Sequence, residues 1–184
     1  LEINSWREFK VLNAGAEISL QPGIIGSQAN QYLMPFGRKI GPDPATINTC
    51  KIGGIAANNS SGMCCGTAQN SYHTLSGMRV ILANGVVIDT RTDAGRQTAL
   101  NTQQPLLKEI GKLAAEVQAN PELTAKIRHK YRLKNTTGYS INSLVDYSDP
   151  LDILTHLMIG SEGTLGFISA VQYHTVPDYP NKAT

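Results

Sequence analysis

Apolar and polar positions alternate in two short stretches near the start of the chain. Val11 and Leu12 precede an Asn-Ala-Gly break, and "AEISLQPG" then alternates until Pro22-Gly23 stops it. Two antiparallel strands are expected there. Ile24, Ile25, Gln28, Leu33 and Met34 recur at roughly helical spacing and are closed by Pro35 and Gly37, which predicts a short helix. In "MRVILANGVVIDT" two β-branched runs are joined by Asn84-Gly85, the pair best suited to the positive φ angles of a type I′ turn, so a tight hairpin is expected. From Pro105 the period lengthens. Leu106, Ile110, Leu113 and Val117 fall on one face and predict a helix to about Ala119. Asn120-Pro121-Glu122 then reads as the cap, first-turn proline and favourable acidic residue of a second helix, running to about Arg132. The last region, "HLMIGSEGTLGFISAVQYHTVP", has a glycine-rich turn followed by a long alternating strand that ends near Pro177. Five strands, with helices concentrated between the second and third and between the fourth and fifth, make a mixed α+β domain.

Composition narrows the class. At 184 residues, 41% hydrophobic and 16% charged, the chain can bury a contiguous core. Its 16 Lys+Arg against 14 Asp+Glu give a formal charge of +2, too small to point to nucleic acid. One local cluster stands out, Lys126, Arg128, Lys130, Arg132 and Lys134. It reads either as a solvated helical face or as a contact for an anionic cofactor, substrate or partner. No apolar run approaches the ~20 residues of a membrane span and no secretory signal opens the chain, so the expected compartment is cytoplasmic. Cys50, Cys64 and Cys65 are odd in number and lack a C-x-x-C clip, which suggests reduced, packed thiols. The start at Leu1, inside a structured-looking segment, suggests a piece of a longer protein.

Residues 50–66, "CKIGGIAANNSSGMCCG", are nearly all small, amidic or hydroxylic. Gly53, Gly54 and Gly62 let the backbone pass close to another surface, while Asn58, Asn59, Ser60, Ser61 and Thr67 add donors and acceptors. Such a turn lines a cofactor with backbone, and a second small-residue turn, Gly160 to Gly166, recurs far downstream. Other chemistries lack their signatures. The dinucleotide fingerprint G-x-G-x-x-G and the phosphate loop G-x-x-x-x-G-K-[ST] are absent, and the hydrolase elbow G-x-S-x-G around Ser161 has Ile159 in place of its first glycine. "NSSG" faintly resembles the amidase serine signature, but no second serine motif accompanies Lys51.

"PFGRKIGPDPAT", "IGGIAANNSSG", "GMRVILANGVVIDT", "KNTTGYSIN" and "IGSEGTLGFIS" occur in that order. Together they resemble the FAD-binding domain of the FAD-linked oxidases, the vanillyl-alcohol-oxidase or PCMH-type flavoproteins, most closely the D-lactate, glycolate and related 2-hydroxy-acid dehydrogenases. The resemblance implies an FAD cofactor, a small 2-hydroxy-acid substrate, a hydride passed to the flavin, and an electron acceptor. It places Pro42 and Thr46 near the flavin or ribityl region. Gly53, Gly54, Asn58, Ser61 and Gly62 would wrap the cofactor, and Gly166 and Ile168 would touch it from the other side. Lys134 and Tyr139 of "KNTTGY" would approach the same pocket. The stretch Val145 to Leu154 resembles large dehydrogenases that also carry an iron–sulfur region. A pyrophosphate loop expected upstream and a substrate domain expected downstream are not in residues 1–184, so these residues would be the second part of an FAD-binding domain, inactive and poor in FAD affinity by themselves. His73, His129, His156 and His174 match no catalytic or metal motif of the family and read as surface or packing histidines. No catalytic residue and no metal ligand is expected in this stretch, and no nucleic acid or transmembrane segment. Peripheral attachment of the parent to the inner membrane stays open. So do two alternatives: an FAD-dependent oxidase or reductase of another substrate, such as another alcohol or an enolpyruvyl sugar, and a non-catalytic binding module using the basic 126–134 helix.

Overall fold

The computed structural model describes residues 3–135 and 138–179. Its framework is an antiparallel sheet of six strands: β1 (Phe9–Leu12), β2 (Glu17–Leu20), β3 (Arg38–Ile40), β4 (Leu75–Ile81), β5 (Val87–Asp89) and β6 (Phe167–Pro177). The order is β1-β2-β6-β4-β5, with β3 also paired to β6. The expected alternating strand is therefore the organiser of the sheet, and it ends at Pro177 as its pattern indicates. β6 pairs with β2 through Ile18↔Tyr173 and Leu20↔Val171, with β4 through Met78↔Val171, and with β3 through Ile40↔Thr175.

Helices complete the layer. α1 (Gly26–Leu33), α2 (Ile52–Asn58) and α3 (Ser71–Thr74) lie between β2 and β4 in sequence. α4 (Asp93–Thr102), α5 (Gln104–Gln118), α6 (Pro121–Lys130), α7 (Ser143–Asp146) and α8 (Pro150–Met158) lie between β5 and β6. Their starts follow local chemistry. Thr92, Asn120 and Asp149 accept hydrogen bonds from the backbone N–H groups of Gly95, Leu123 and Leu151, and α5, α6 and α8 each carry a first-turn proline. Ile18, Leu20, Met78, Val80, Val171 and Tyr173 of the sheet bury against Ile24, Leu33, Ile52, Ile55, Ile153 and Met158. Arg96 forks onto Asp149 at 2.6 Å and Asp152 at 2.7 Å, tying α4 to α8.

Three details differ from the expectations. Six strands form rather than five, because β3 is only three residues long and carries no alternating signal. The hairpin forms, but its turn is not type I′: Gly85 takes φ 82° whereas Asn84 stays out of the left-handed region. Gly85 N–H donates to the Leu82 carbonyl and Asn84 Oδ1 accepts from Val86 N–H, so the asparagine closes the loop through its side chain. The first half of residues 50–66, expected as a turn, is helical. Ile52, Ile55 and Ala56 fall one helical turn apart and are fully buried, and that packing outweighs two glycines. All three cysteines are free thiols. His73, His129 and His174 are exposed, and His156 is a buried packing residue stacked on Tyr147 at 4.0 Å.

Candidate functional site

α2 is set by its own N-terminus. Ile52 N–H donates to the Ile24 carbonyl and Gly53 N–H to the Pro22 carbonyl, which fastens the helix start to the segment after β2. A Cβ on Gly53 would lie 2.7 Å from Pro22 Cβ, so the glycine permits that approach. Gly54 is different. It is exposed, nothing lies within 4 Å of a Cβ built on it, and among the described residues its N–H has no acceptor. Bare backbone is thus presented outward near the start of α2.

The helix ends at Asn59, which adopts φ 53° and accepts a bond from Tyr72 N–H through its side chain. The chain then turns through Ser60, Ser61 and Gly62. A Cβ on Gly62 would sit 1.8 Å from the Asp43 carbonyl oxygen, so this turn is locked against the Pro42–Pro44 segment. Pro42 is buried in that segment; Thr46 is exposed, and its carbonyl accepts from Thr49 and Cys50 N–H. The second turn meets the end of α2 directly. Gly160 N–H donates to the Ala56 carbonyl at 3.1 Å, and Glu162 N–H to the Ala57 carbonyl at 2.9 Å. Asn58 Nδ2 donates to Glu162 Oε1 at 2.6 Å while its Oδ1 accepts from Ser60. The Asn58 side chain therefore holds the two turns to each other. Glu162 takes φ 53°, a left-handed conformation that costs energy for a residue with a Cβ and is fixed here by these bonds.

Two hydroxyls at this junction are buried without partners among the described residues. Ser61 is 6% exposed and Ser161 is 1% exposed, and neither Oγ has a hydrogen-bond partner there. A buried hydroxyl of this kind costs about 1–3 kcal/mol unless something satisfies it. Lys134 and Tyr139 also reach the turns, Lys134 Nζ donating to the Ser61 carbonyl and Tyr139 OH sharing a bond with Thr164 Oγ1 at 2.9 Å. Thr136 and Thr137 of "KNTTGY" lie outside the described residues.

Asn58 thus ties the first turn to the second, Ser61 lies buried in the first turn and Gly62 packs on the Pro42–Pro44 segment, whereas Gly53 packs on Pro22 near the start of α2 and Gly54 is exposed there. Gly166 and Ile168 sit further along, on the seam between β6 and β4: a Cβ on Gly166 would lie 2.9 Å from Val80 Cγ2, and Ile168 pairs with Val80 in the core. Sequence reasoning missed Glu162, Ser161 and the part played by Asp43. The local signal of Ser161 and Glu162 is a neighbouring glycine, and Asp43 lies between two prolines. A groove of about 930 Å³ lies elsewhere, lined from β1, β2, β4 and β6, and contains none of the expected site residues. Two of its four lining cations are already engaged, Arg91 on Asp89 and Ser19 and Arg79 on Ser169. Among the described residues no group of His, Cys, Asp or Glu is placed to hold a metal, and no helix is long and apolar enough to cross a membrane.

The donor set fits FAD. Bare backbone at Gly54, unpartnered buried hydroxyls and closely packed small-residue turns suit a polar, partly aromatic cofactor held mainly by main chain. Residues 1–91 match the family described as FAD binding domain. The solved structure of an alkyldihydroxyacetonephosphate synthase superposes on 95% of this chain with a TM-score of 0.53 at 16% identity, covering 22% of that protein. The fold is the PCMH-type FAD-binding fold. More particularly, the chain is similar to proteins named D-2-hydroxyglutarate dehydrogenase. It is 30% identical over 169 residues to that of Pantoea ananatis and 28% identical over 171 residues to that of Haemophilus influenzae. The alignments cover 87% and 88% of this chain but 16% of each relative. The chain spans about one sixth of the length of these curated relatives.

Proposed function

We propose that residues 1–184 are the second part of an FAD-binding domain, within an oxidoreductase that converts a 2-hydroxy acid to its 2-oxo acid. The observations that carry this reading are the bare Gly54 on α2 and the junction of α2 with the Gly160–Gly166 turn, where two buried serine hydroxyls have no partner among the described residues. FAD supplies the hydride acceptor for that oxidation. The chain's own residues bind and orient it. Gly53, Gly54 and Gly62 allow close approach of backbone, and Ser61 offers its free hydroxyl. Asn58 keeps the two turns in register, Pro42 and Thr46 border the first turn, and Gly166 and Ile168 border the cofactor from the β4–β6 seam.

The relatives favour a substrate of the D-2-hydroxyglutarate kind over D-lactate. Binding and oxidation of that substrate, transfer of electrons to an acceptor, and any iron–sulfur relay belong to the rest of the protein, so these residues alone are inactive. The test uses the full-length protein. Its visible spectrum should show bound flavin, D-2-hydroxyglutarate should bleach that spectrum anaerobically faster than D-lactate, and Gly54→Asp should lose the flavin while keeping its fold by circular dichroism. A purified protein that neither carries nor takes up FAD refutes the cofactor assignment. Bleaching by D-lactate alone refutes the substrate assignment.

A further inference from the structure

The described parts of the connection between α6 and α7, residues 131–135 and 138–142, strap the junction of the two turns. Tyr131 OH donates to the Tyr139 carbonyl at 2.7 Å, Tyr139 OH shares a bond with Thr164, and Ser140 Oγ donates to the Ile159 carbonyl at 2.7 Å. These contacts fix the strap to itself and to the second turn. Lys134 reaches the first turn, donating to the Ser61 carbonyl at 2.5 Å across 73 positions of sequence.

The peptide it holds is fixed at both ends. In a planar trans peptide the Ser61 carbonyl and the Gly62 N–H point in opposite directions. The carbonyl takes the Lys134 ammonium, and the Gly62 N–H donates to Cys65 Sγ at 3.1 Å. With the plane fixed, the Ser61 Cα that lies in it is held in place, and the hydroxyl that this residue carries is, among the described residues, buried without a partner. We propose that Lys134 is a positioning residue of the cofactor cradle, which sets the Ser61–Gly62 peptide so that the Ser61 hydroxyl faces the cofactor and which adds a cation beside an anionic ligand. This rests on the flavin reading above.

Lys134→Met, Lys134→Gln and Lys134→Arg in the full-length protein test it, with FAD affinity followed by flavin fluorescence and the 60–62 segment followed by hydrogen exchange. Lys134→Met should weaken FAD binding about tenfold, the low end for a charge-assisted bond at an exposed residue. Lys134→Arg should recover most of the loss, which a purely space-filling role would not produce. Exchange at 60–62 should quicken in Lys134→Met without FAD present. Should the methionine variant fold poorly, Lys134→Gln keeps a donor without the charge and should give an intermediate affinity. Unchanged exchange, or FAD affinity equal to wild type in Lys134→Met, overturns the proposal. Failure of the flavin reading looks different: wild type would show no saturable FAD response while exchange at 60–62 still depended on Lys134.

Discussion

Replacing Gly54 with alanine should stabilise the fold and weaken cofactor binding, two effects of opposite sign from one methyl group. Gly54 is the third residue of α2, its φ lies outside the left-handed region, and a Cβ there meets nothing within 4 Å. A glycine in a helix interior is about 1 kcal/mol worse than alanine; near the helix start about half of that applies, so folding should gain roughly 0.5 kcal/mol. For a domain of this size that is a rise in Tm of about 1–2 °C. The same methyl would stand where the cofactor meets bare backbone. Overpacking of that kind costs roughly 1–3 kcal/mol, or about 5- to 150-fold in Kd. Thermal melts without FAD and fluorescence titrations with FAD, both on the full-length protein, measure the two effects separately. A raised Tm with undiminished FAD affinity would refute the placement of the cofactor at Gly54. A lowered Tm would refute the open space around it.

Gly62→Ala should behave in the opposite way to Gly54→Ala. Its Cβ would press on the Asp43 carbonyl oxygen at 1.8 Å, and backbone on both sides leaves no flexible group to yield. A loss of about 3 kcal/mol and a fall in Tm of roughly 6–12 °C are expected, and a Tm within a degree of wild type would show that the two loops are not in contact. His156 should make the protein sensitive to mild acid. Burial holds its pKa below the ordinary 6.5, while its Nδ1–H donates to the Asp152 carbonyl at 2.7 Å. Because the folded value is depressed, the stabilisation is fully present above pH 6.5 and is lost as pH falls from there toward the folded value. The slope is at most about 1.4 kcal/mol per pH unit. Denaturant melts across that window should show the slope in wild type and its loss in His156→Gln; equal slopes would assign the acid sensitivity to other groups.

Much of the framework was legible from local chemistry. The period-2 run through β6, the helical spacing of Leu106, Ile110 and Val117, and the Asn120-Pro121 cap each depend on neighbours a few positions away, so the sequence displays them directly. The type I′ turn was the failure among these. Asn-Gly permits that geometry, but here the Asn84 side chain satisfies Val86 N–H and the loop closes around Leu82–Gly85 instead. The helix at 52–58 was concealed by glycines whose propensity argues against it, and only the burial of Ile52, Ile55 and Ala56 beneath neighbouring elements decides the matter.

The sequence by itself determined the residue types of the cradle: small, amidic and hydroxylic positions in two separate turns, in an order that resembles a flavoprotein. It also determined the strand and helix chemistry that carries those turns. The tertiary structure decided which groups are free and which are spent. Asn58, a natural donor on paper, is consumed by Glu162 104 positions away, whereas Ser61 and Ser161 are left buried and, among the described residues, unpaired. It also converted Lys134 from one member of a basic run into the tie on the Ser61 carbonyl. The physical reason is range. Propensity, capping and periodicity act over a few residues and are written in order along the chain, but hydrogen-bond satisfaction is settled between segments that only the folded sheet brings together.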